Sequence, residues 1–382
     1  MLLQISIALY IFLLFNREFV PFIDLRFLIL PIFAYLLIFK FINILFTRNI
    51  VIYGTKKNII YYMLFIFIVF LSNSKWYFNP YSPNEDILIN VILLYIYNFL
   101  AVTIFALYWK KINLKVIGIV VFVSGLILFL SMILQYIGVQ ELPFARNVRE
   151  LEEFELSIIG TRIGGYAEDP NYATFSMMLW FVITFILFKN RFLVLFVFLL
   201  SFVGVILSFS KTIILASFII LSFFIAKKLK LLIPYTILFI SLIAFSAYYI
   251  YEIFMTLSTM STRFKMWEIA FYSFLNNPIL GSGVTSVRSN FLFSGNWYVQ
   301  PHNSFIAILA DSGLFAFILF LCFFIKAFSL ENKIYIFLVW LLFIFSFSQE
   351  LFIFQYPYFV LGVLPIIVLL KQNRIYTTKI RI

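Results

Sequence analysis

The sequence predicts an all-α, polytopic membrane protein: a single transmembrane domain over residues 1–382, with about twelve helices and two long periplasmic loops. Three observations predict it. Of 382 residues, 64% are hydrophobic and only 12% charged, whereas a soluble domain is roughly 45–50% apolar and about 25% charged. The 53 phenylalanines exceed what one water-soluble core can hold beneath a polar skin, so the surplus faces lipid. The basic residues behind the net charge of +12 are sorted along the chain as membrane-spanning proteins sort them.

A membrane helix takes about 20 mostly apolar residues. Cutting the chain at charge clusters and at Pro, Asn and Gly gives spans near 2–15, 27–46, 58–72, 87–109, 116–138, 171–188, 192–209, 212–226, 231–251, 304–325, 334–349 and 351–370. The first run, Leu2–Phe15, has no basic stretch before it and no small-residue cleavage site. It therefore reads as an uncleaved first span rather than a signal peptide. The first, third and eighth spans are short and rely on snorkelling flanks or local thinning.

Placing both termini in the cytoplasm puts eighteen cations in inner segments, among them Lys40, Lys110, Lys111, Lys189, Arg191 and Lys371, against the single acid Glu331. The outer segments hold the other ten cations and fourteen acids. The positive balance is thus a topology signal, and no nucleic-acid partner is implied. The one cysteine, Cys322, excludes an intrachain disulfide. Two outer segments, 139–170 and 252–303, are far longer than the other connections. Long loops in compact proteins carry function or are disordered, and these hold aromatics, glycines and six of the ten outer cations.

The only histidine, His302, lies in QPHNSF, where the second loop meets the tenth span. Pro301 ends the loop, and Asn303 or Ser304 can cap the helix. A helix N-terminus favours a neutral imidazole, the form a general base needs. One histidine makes no zinc site, and no Cys or carboxylate stands at ligand spacing, so no metal is expected.

In 261–283, Phe264, Trp267, Phe271 and Phe274 fall at steps of three and four, an aromatic helix face suited to lying on the outer leaflet. Asn277-Pro278 stops that helix. Arg263 stands one turn before Trp267; it either snorkels to headgroups or clamps a phosphate with its guanidinium fork. In TRIGGYAEDPNYATF, 161–175, Asp169-Pro170-Asn171 is a turn that caps the sixth span, with Arg162 beside flexible glycines. Glu168 and Asp169 are alternatively paired carboxylates, a spacing that sequence neighbours do not establish. Asp311 lies nine residues after His302. On a continuous helix it sits about 13.5 Å deeper and on the opposite side, which assigns it to packing or to a polar tunnel.

Together, R…W……NPILGSG, PHNSFIAILADSGLFAF and the upstream RIGGYAEDPN resemble the O-antigen polymerase and O-antigen ligase superfamily, polytopic bacterial enzymes of polysaccharide assembly. The likeness spans roughly residues 160–320; the flanking spans match only in number and hydrophobicity. It implies about twelve helices in the bacterial inner membrane and a large periplasmic loop over a site facing the periplasm. It also implies glycosyl transfer without metal or cofactor from an undecaprenyl-diphosphate-linked oligosaccharide.

On this resemblance Arg162, Arg263 and, more weakly, Arg288 are diphosphate ligands. His302 is the base or acceptor-orienting group, and Asp169, Asn171, Trp267 and Asn303 support them. The implied partners are that lipid-linked oligosaccharide, membrane lipid, a chain-length regulator and a flippase. The activity implied is polymerisation of a surface polysaccharide, with transfer to a lipid A core by a ligase, or a capsule or exopolysaccharide polymerase, as the near alternatives. A flippase or secondary transporter instead places polar residues and broken helices at mid-membrane in two matching halves, whereas here the unusual residues crowd into two unequal outer loops.

Overall fold

The computed structural model describes residues 2–17, 19, 26–47, 49–53, 56–73, 85–138, 149–150, 161–167, 169–208, 210, 213–214, 216–217, 258–283, 301–330, 332–347, 349, 351, 355–372 and 377–381. Helices stand where the hydropathy placed them: α1 Leu2–Phe15, α2 Arg26–Thr47, α3 Lys56–Asn73, α4 Glu85–Leu107, α5 Leu114–Tyr136, α6 Pro170–Leu187 and α7 Arg191–Ser208. α8 Ser258–Asn276, α9 Ser304–Phe328 and α10 Lys333–Phe345 follow, then α11 Gln355–Tyr358 and α12 Leu364–Lys371. The expected spans at 212–226 and 231–251 fall almost wholly outside the described residues.

Among the described residues, five segments are long and apolar enough to cross a membrane: Arg26–Asn43, Leu114–Tyr136, Pro170–Leu187, Arg191–Ser208 and Ser304–Phe328. Their outer faces are apolar as well. α7 exposes Phe192, Leu195, Phe196, Leu199 and Phe202, while Gly204 and Ser208 turn inward. A helix apolar all round fits a lipid environment.

Asparagine and aspartate begin several helices. Asn113, Asp169, Asn303 and Asn332 each use a side-chain oxygen to accept the first free backbone N–H groups of α5, α6, α9 and α10, satisfying donors that have no partner within the helix. Inside the bundle, aromatic rings interlock. Tyr10, Phe33, Tyr97 and Phe105 cluster where α1, α2 and α4 meet, and Phe305 is surrounded by Phe317, Phe320, Phe324, Phe343 and Phe347.

Three features depart from a purely helical reading. The described residues include two antiparallel strand pairs, β1 Asn49–Tyr53 with β4 Thr377–Arg381, and β2 Arg149–Glu150 with β3 Thr161–Arg162. Ile50, Val51, Ile52 and Tyr53 are β-branched or aromatic types that suit a strand, in a run too short to stand out by hydropathy. The last expected span, 351–370, is not one continuous helix. α11 and α12 are joined by a π turn, Phe359–Val363, that directly precedes Leu364-Pro365. Pro365 lacks the N–H that a regular helix would donate one turn back, and the chain widens there. α9 also breaks: Gly313 adopts φ 76 and ψ −174.

Contacts sort the chain into two ends. At one end Gln4 donates to the carbonyl of Lys111 at 2.5 Å, Lys371 donates to that of Leu187 at 2.8 Å, Lys40 lies over the Tyr108 ring, and β1 pairs with β4. At the other end lie Arg162, Ser208, Ser210 and Asn171, and the contacts of Ser304 with residues 346–351.

Candidate functional site

The segment preceding α6 is clamped on three sides. The Ile163 amide donates to the Leu207 carbonyl, the Gly165 amide to Gln135 Oε1 at 2.8 Å, and the Tyr166 amide to Ser131 Oγ at 3.1 Å. Asp169 caps α6 by accepting the Asn171 amide at 2.7 Å. Asn171 is thereby fixed, and its Oδ1 accepts both from the Arg162 guanidinium at 2.7 Å and from Ser210 Oγ at 2.8 Å. Arg162 Nε also donates to the Ser208 carbonyl at 3.4 Å. The Arg162 guanidinium is thus aimed by groups from α6 and from the end of α7.

Arg263 sits half-buried on α8. Burial holds its guanidinium below the usual arginine range, and the charge of Arg162 adds to that. The two side chains, from loops a hundred residues apart, therefore share an electrostatic environment. Like charges that sense each other in a partly desolvated setting favour an anion nearby.

The aromatic face of α8 points outward, with Phe264 and Phe271 exposed, while Met266, Ala270 and Ser273 turn in; Ala270 packs on Ala310 of α9. Trp267 is the link to the histidine: its indole N–H donates to the Pro301 carbonyl at 2.6 Å. The next residue, His302, takes φ 47, in the left-handed region. Histidine enters that region more readily than most residues, and such conformations collect at functional sites. Asn303 then caps α9, accepting the Phe305 and Ile306 amides at 3.0 and 3.1 Å. The Ser304 amide donates to the Ser346 carbonyl at 2.7 Å, and its hydroxyl links Gln349 and Leu351.

The NPILGSG loop is also located. Leu314 donates to the Pro278 carbonyl at 2.8 Å, Ser282 to Ala310 at 2.8 Å, and Gly283 to Asp311 at 2.9 Å. The break at Gly313 leaves carbonyls and an amide of α9 without their helical partners, and the loop supplies replacements. Ser72 of α3 donates to the Asp311 carbonyl as well. Asp311 is thus a buried residue of a backbone junction, 2% exposed, in keeping with the packing assignment. Ser282 Oγ donates to the Ser273 carbonyl at 3.1 Å and lies 3.0 Å from Asn277 Nδ2, a structural use of the hydroxyl rather than that of a nucleophile.

Of the residues singled out in the sequence, Arg162, Asp169 and Asn171 form one group that Arg263 joins through its electrostatics. Trp267 and Asn303 bracket His302. Arg288 and Glu168 lie outside the described residues. Ser208 and Ser210 escaped notice, although SFSK directly after an apolar span was a visible polar signal at the outer end.

Residues 172–321 match the family model described as O-antigen ligase, which bears out the resemblance to the O-antigen polymerase and ligase superfamily. The match takes in Arg263, Trp267, Arg288, His302 and Asn303, and begins just after Arg162, Asp169 and Asn171. No curated protein matches the chain.

Proposed function

We propose, for a chain that carries this O-antigen ligase match, that it is a polysaccharide polymerase of the bacterial inner membrane. It transfers a growing glycan from undecaprenyl diphosphate onto a new lipid-linked repeat unit at the periplasmic face. The O-antigen ligase match over residues 172–321 supports this reading, together with an Arg162 guanidinium held by Asn171 and Ser208 and a half-buried Arg263 that feels its charge. A hydroxyl of the acceptor sugar attacks the anomeric carbon of the donor, and the bond from that carbon to the diphosphate oxygen breaks. Undecaprenyl diphosphate departs with the bonding electrons, and the hydroxyl proton passes to His302. Charge builds on the leaving diphosphate, and charge-assisted bonds from arginine stabilise it at roughly 1.5–3 kcal/mol each without a metal. The exposed aromatic face of α8 suits the membrane interface, where a lipid-linked donor arrives.

Arg162→Ala and Arg263→Ala are each expected to slow chain extension by about 10²-fold, equivalent to one or two such bonds. The measurement is the rate of polymer formation by the reconstituted protein. Wild-type rates in both variants would remove the diphosphate assignment. A ligase would instead leave lipid-linked polymer accumulated and unattached when its gene is deleted, while loss of a polymerase leaves a core capped by one repeat unit.

The cation sorting supports a topology with both termini in the cytoplasm. In a Cys322→Ser background, single cysteines introduced near 145 and 290 are expected to react with an impermeant thiol reagent in intact spheroplasts. Those near 112 and 228 react only after lysis. The reverse pattern would invert the topology.

A further inference from the structure

The connection from α6 to α7, Phe188-Lys189-Asn190, leads straight into Arg191, at the end of the bundle away from the site above. Asn171 stands at the start of α6 and Leu187 ends it, which separates the two regions by about 24 Å of helix. An open groove of about 480 Å³ lies beside this connection. That size falls within the roughly 300–1,000 Å³ of ordinary small-molecule sites. Phe181 and Phe185 of α6 and Val194 and Phe198 of α7 form its apolar part, with Phe188, Lys189 and Arg191 also lining it. Phe181 meets Phe198 edge-on, ring centroids 5.2 Å apart, which ties the two helices together. Phe188 packs on Gly118 of α5, where a Cβ would come within 3.0 Å of its ring.

Charge decides what fits there. Lys189 and Arg191 are both exposed, and no acid lines the groove among the described residues. Lys371 of α12 reaches the same turn, donating to the Leu187 carbonyl at 2.8 Å. Phe185 and Phe198 are 46% and 44% exposed, so the apolar part opens outward, where a membrane helix meets lipid tails. Apolar walls beside a cluster of cations complement a molecule with an acyl chain and an anionic head.

We propose that this groove binds one anionic diacyl phospholipid, an acyl chain lying along the α6–α7 walls and the phosphate at Lys189 and Arg191. Snorkelling to bulk headgroups needs only the two cations; a seated lipid needs the groove as well. The site is separate from glycosyl transfer and stands whichever glycan the chain handles.

The test titrates the full chain in mild detergent with phosphatidylglycerol and counts bound lipids by native mass spectrometry. Wild type is expected to take up one lipid more tightly than any that follow, and to bind phosphatidylcholine more weakly. Lys189→Gln/Arg191→Gln weakens that first affinity roughly 30-fold. Val194→Trp keeps both charges, fills the groove and weakens it about 10-fold. Lys326→Gln/Lys333→Gln removes the same charge from the ends of α9 and α10, away from the groove, and binds as wild type does. The exchanged cations Lys189 and Arg191 are exposed, so the charge variant folds; its lipid-free thermal midpoint, equal to that of wild type, checks this. Three results overturn the site: no single tighter lipid on wild type, equal weakening by the two charge pairs, or wild-type binding by Val194→Trp. The second would mean bulk attraction to headgroups, and the third a headgroup held without its chain.

Discussion

Replacing His302 by alanine is expected to slow glycan extension by roughly 10²–10⁴-fold, the usual contribution of a positioned general base. A sugar hydroxyl is a weak nucleophile, and His302 carries the only imidazole in the sequence. The surrounding frame survives the change: Asn303 still caps the helix, and Trp267 bonds the Pro301 carbonyl, a backbone group. Alanine at φ 47 carries a conformational cost of about 1–2 kcal/mol. His302→Asn is therefore the better partner variant, since asparagine accepts the left-handed region and is no base. Initial rates from a lipid-linked donor check the prediction; both variants extending chains at the wild-type rate would exclude His302 from the chemistry.

The largest loss of stability is expected from Gly313→Ala, with Gly281→Ala close behind. Gly313 has φ 76 and ψ −174, a region essentially reserved to glycine. A Cβ there would come within 2.3 Å of the Ile279 carbonyl oxygen, and one on Gly281 within 2.3 Å of the Asp311 carbonyl carbon. Neither neighbour is a flexible side chain that can swing away, so the NPILGSG loop must leave α9. Three backbone hydrogen bonds go with it, about 1 kcal/mol each, and their groups lose their partners in a buried junction. A thermal unfolding midpoint several degrees below wild type in detergent, with activity lost, is the expected result. An unchanged midpoint would mean that the junction contributes nothing to holding the loop.

Much of this was legible in the sequence, for physical reasons. Helix positions followed from apolar run length, because lipid forces every backbone group into local hydrogen bonds. α1 was placed at its bounds, Leu2–Phe15, and the asparagine and aspartate caps were visible as punctuation. The grouping of Arg162 with Asn171 was only half visible: both lie in one short string, but Ser208 and Ser210, which complete it, arrive from the far end of α7. Distant residues meet through tertiary packing, which periodicity does not report.

The break in α9 was hidden for a different reason. A single glycine in an apolar run reads as tolerated helix, and only the approach of Pro278 and Ser282 shows why the helix stops. The groove beside Lys189 and Arg191 was hidden as well, since its walls come from both α6 and α7.

The second long loop is anchored at both ends by backbone groups: Gly283 on the Asp311 carbonyl and Pro301 on the Trp267 indole. Neither anchor depends on the residues between. Closing a flexible loop grows costlier only slowly with its length, about 0.6 kcal/mol for each doubling. Adding residues between the two fastenings therefore costs little in closure, and neither fastening is loosened by it.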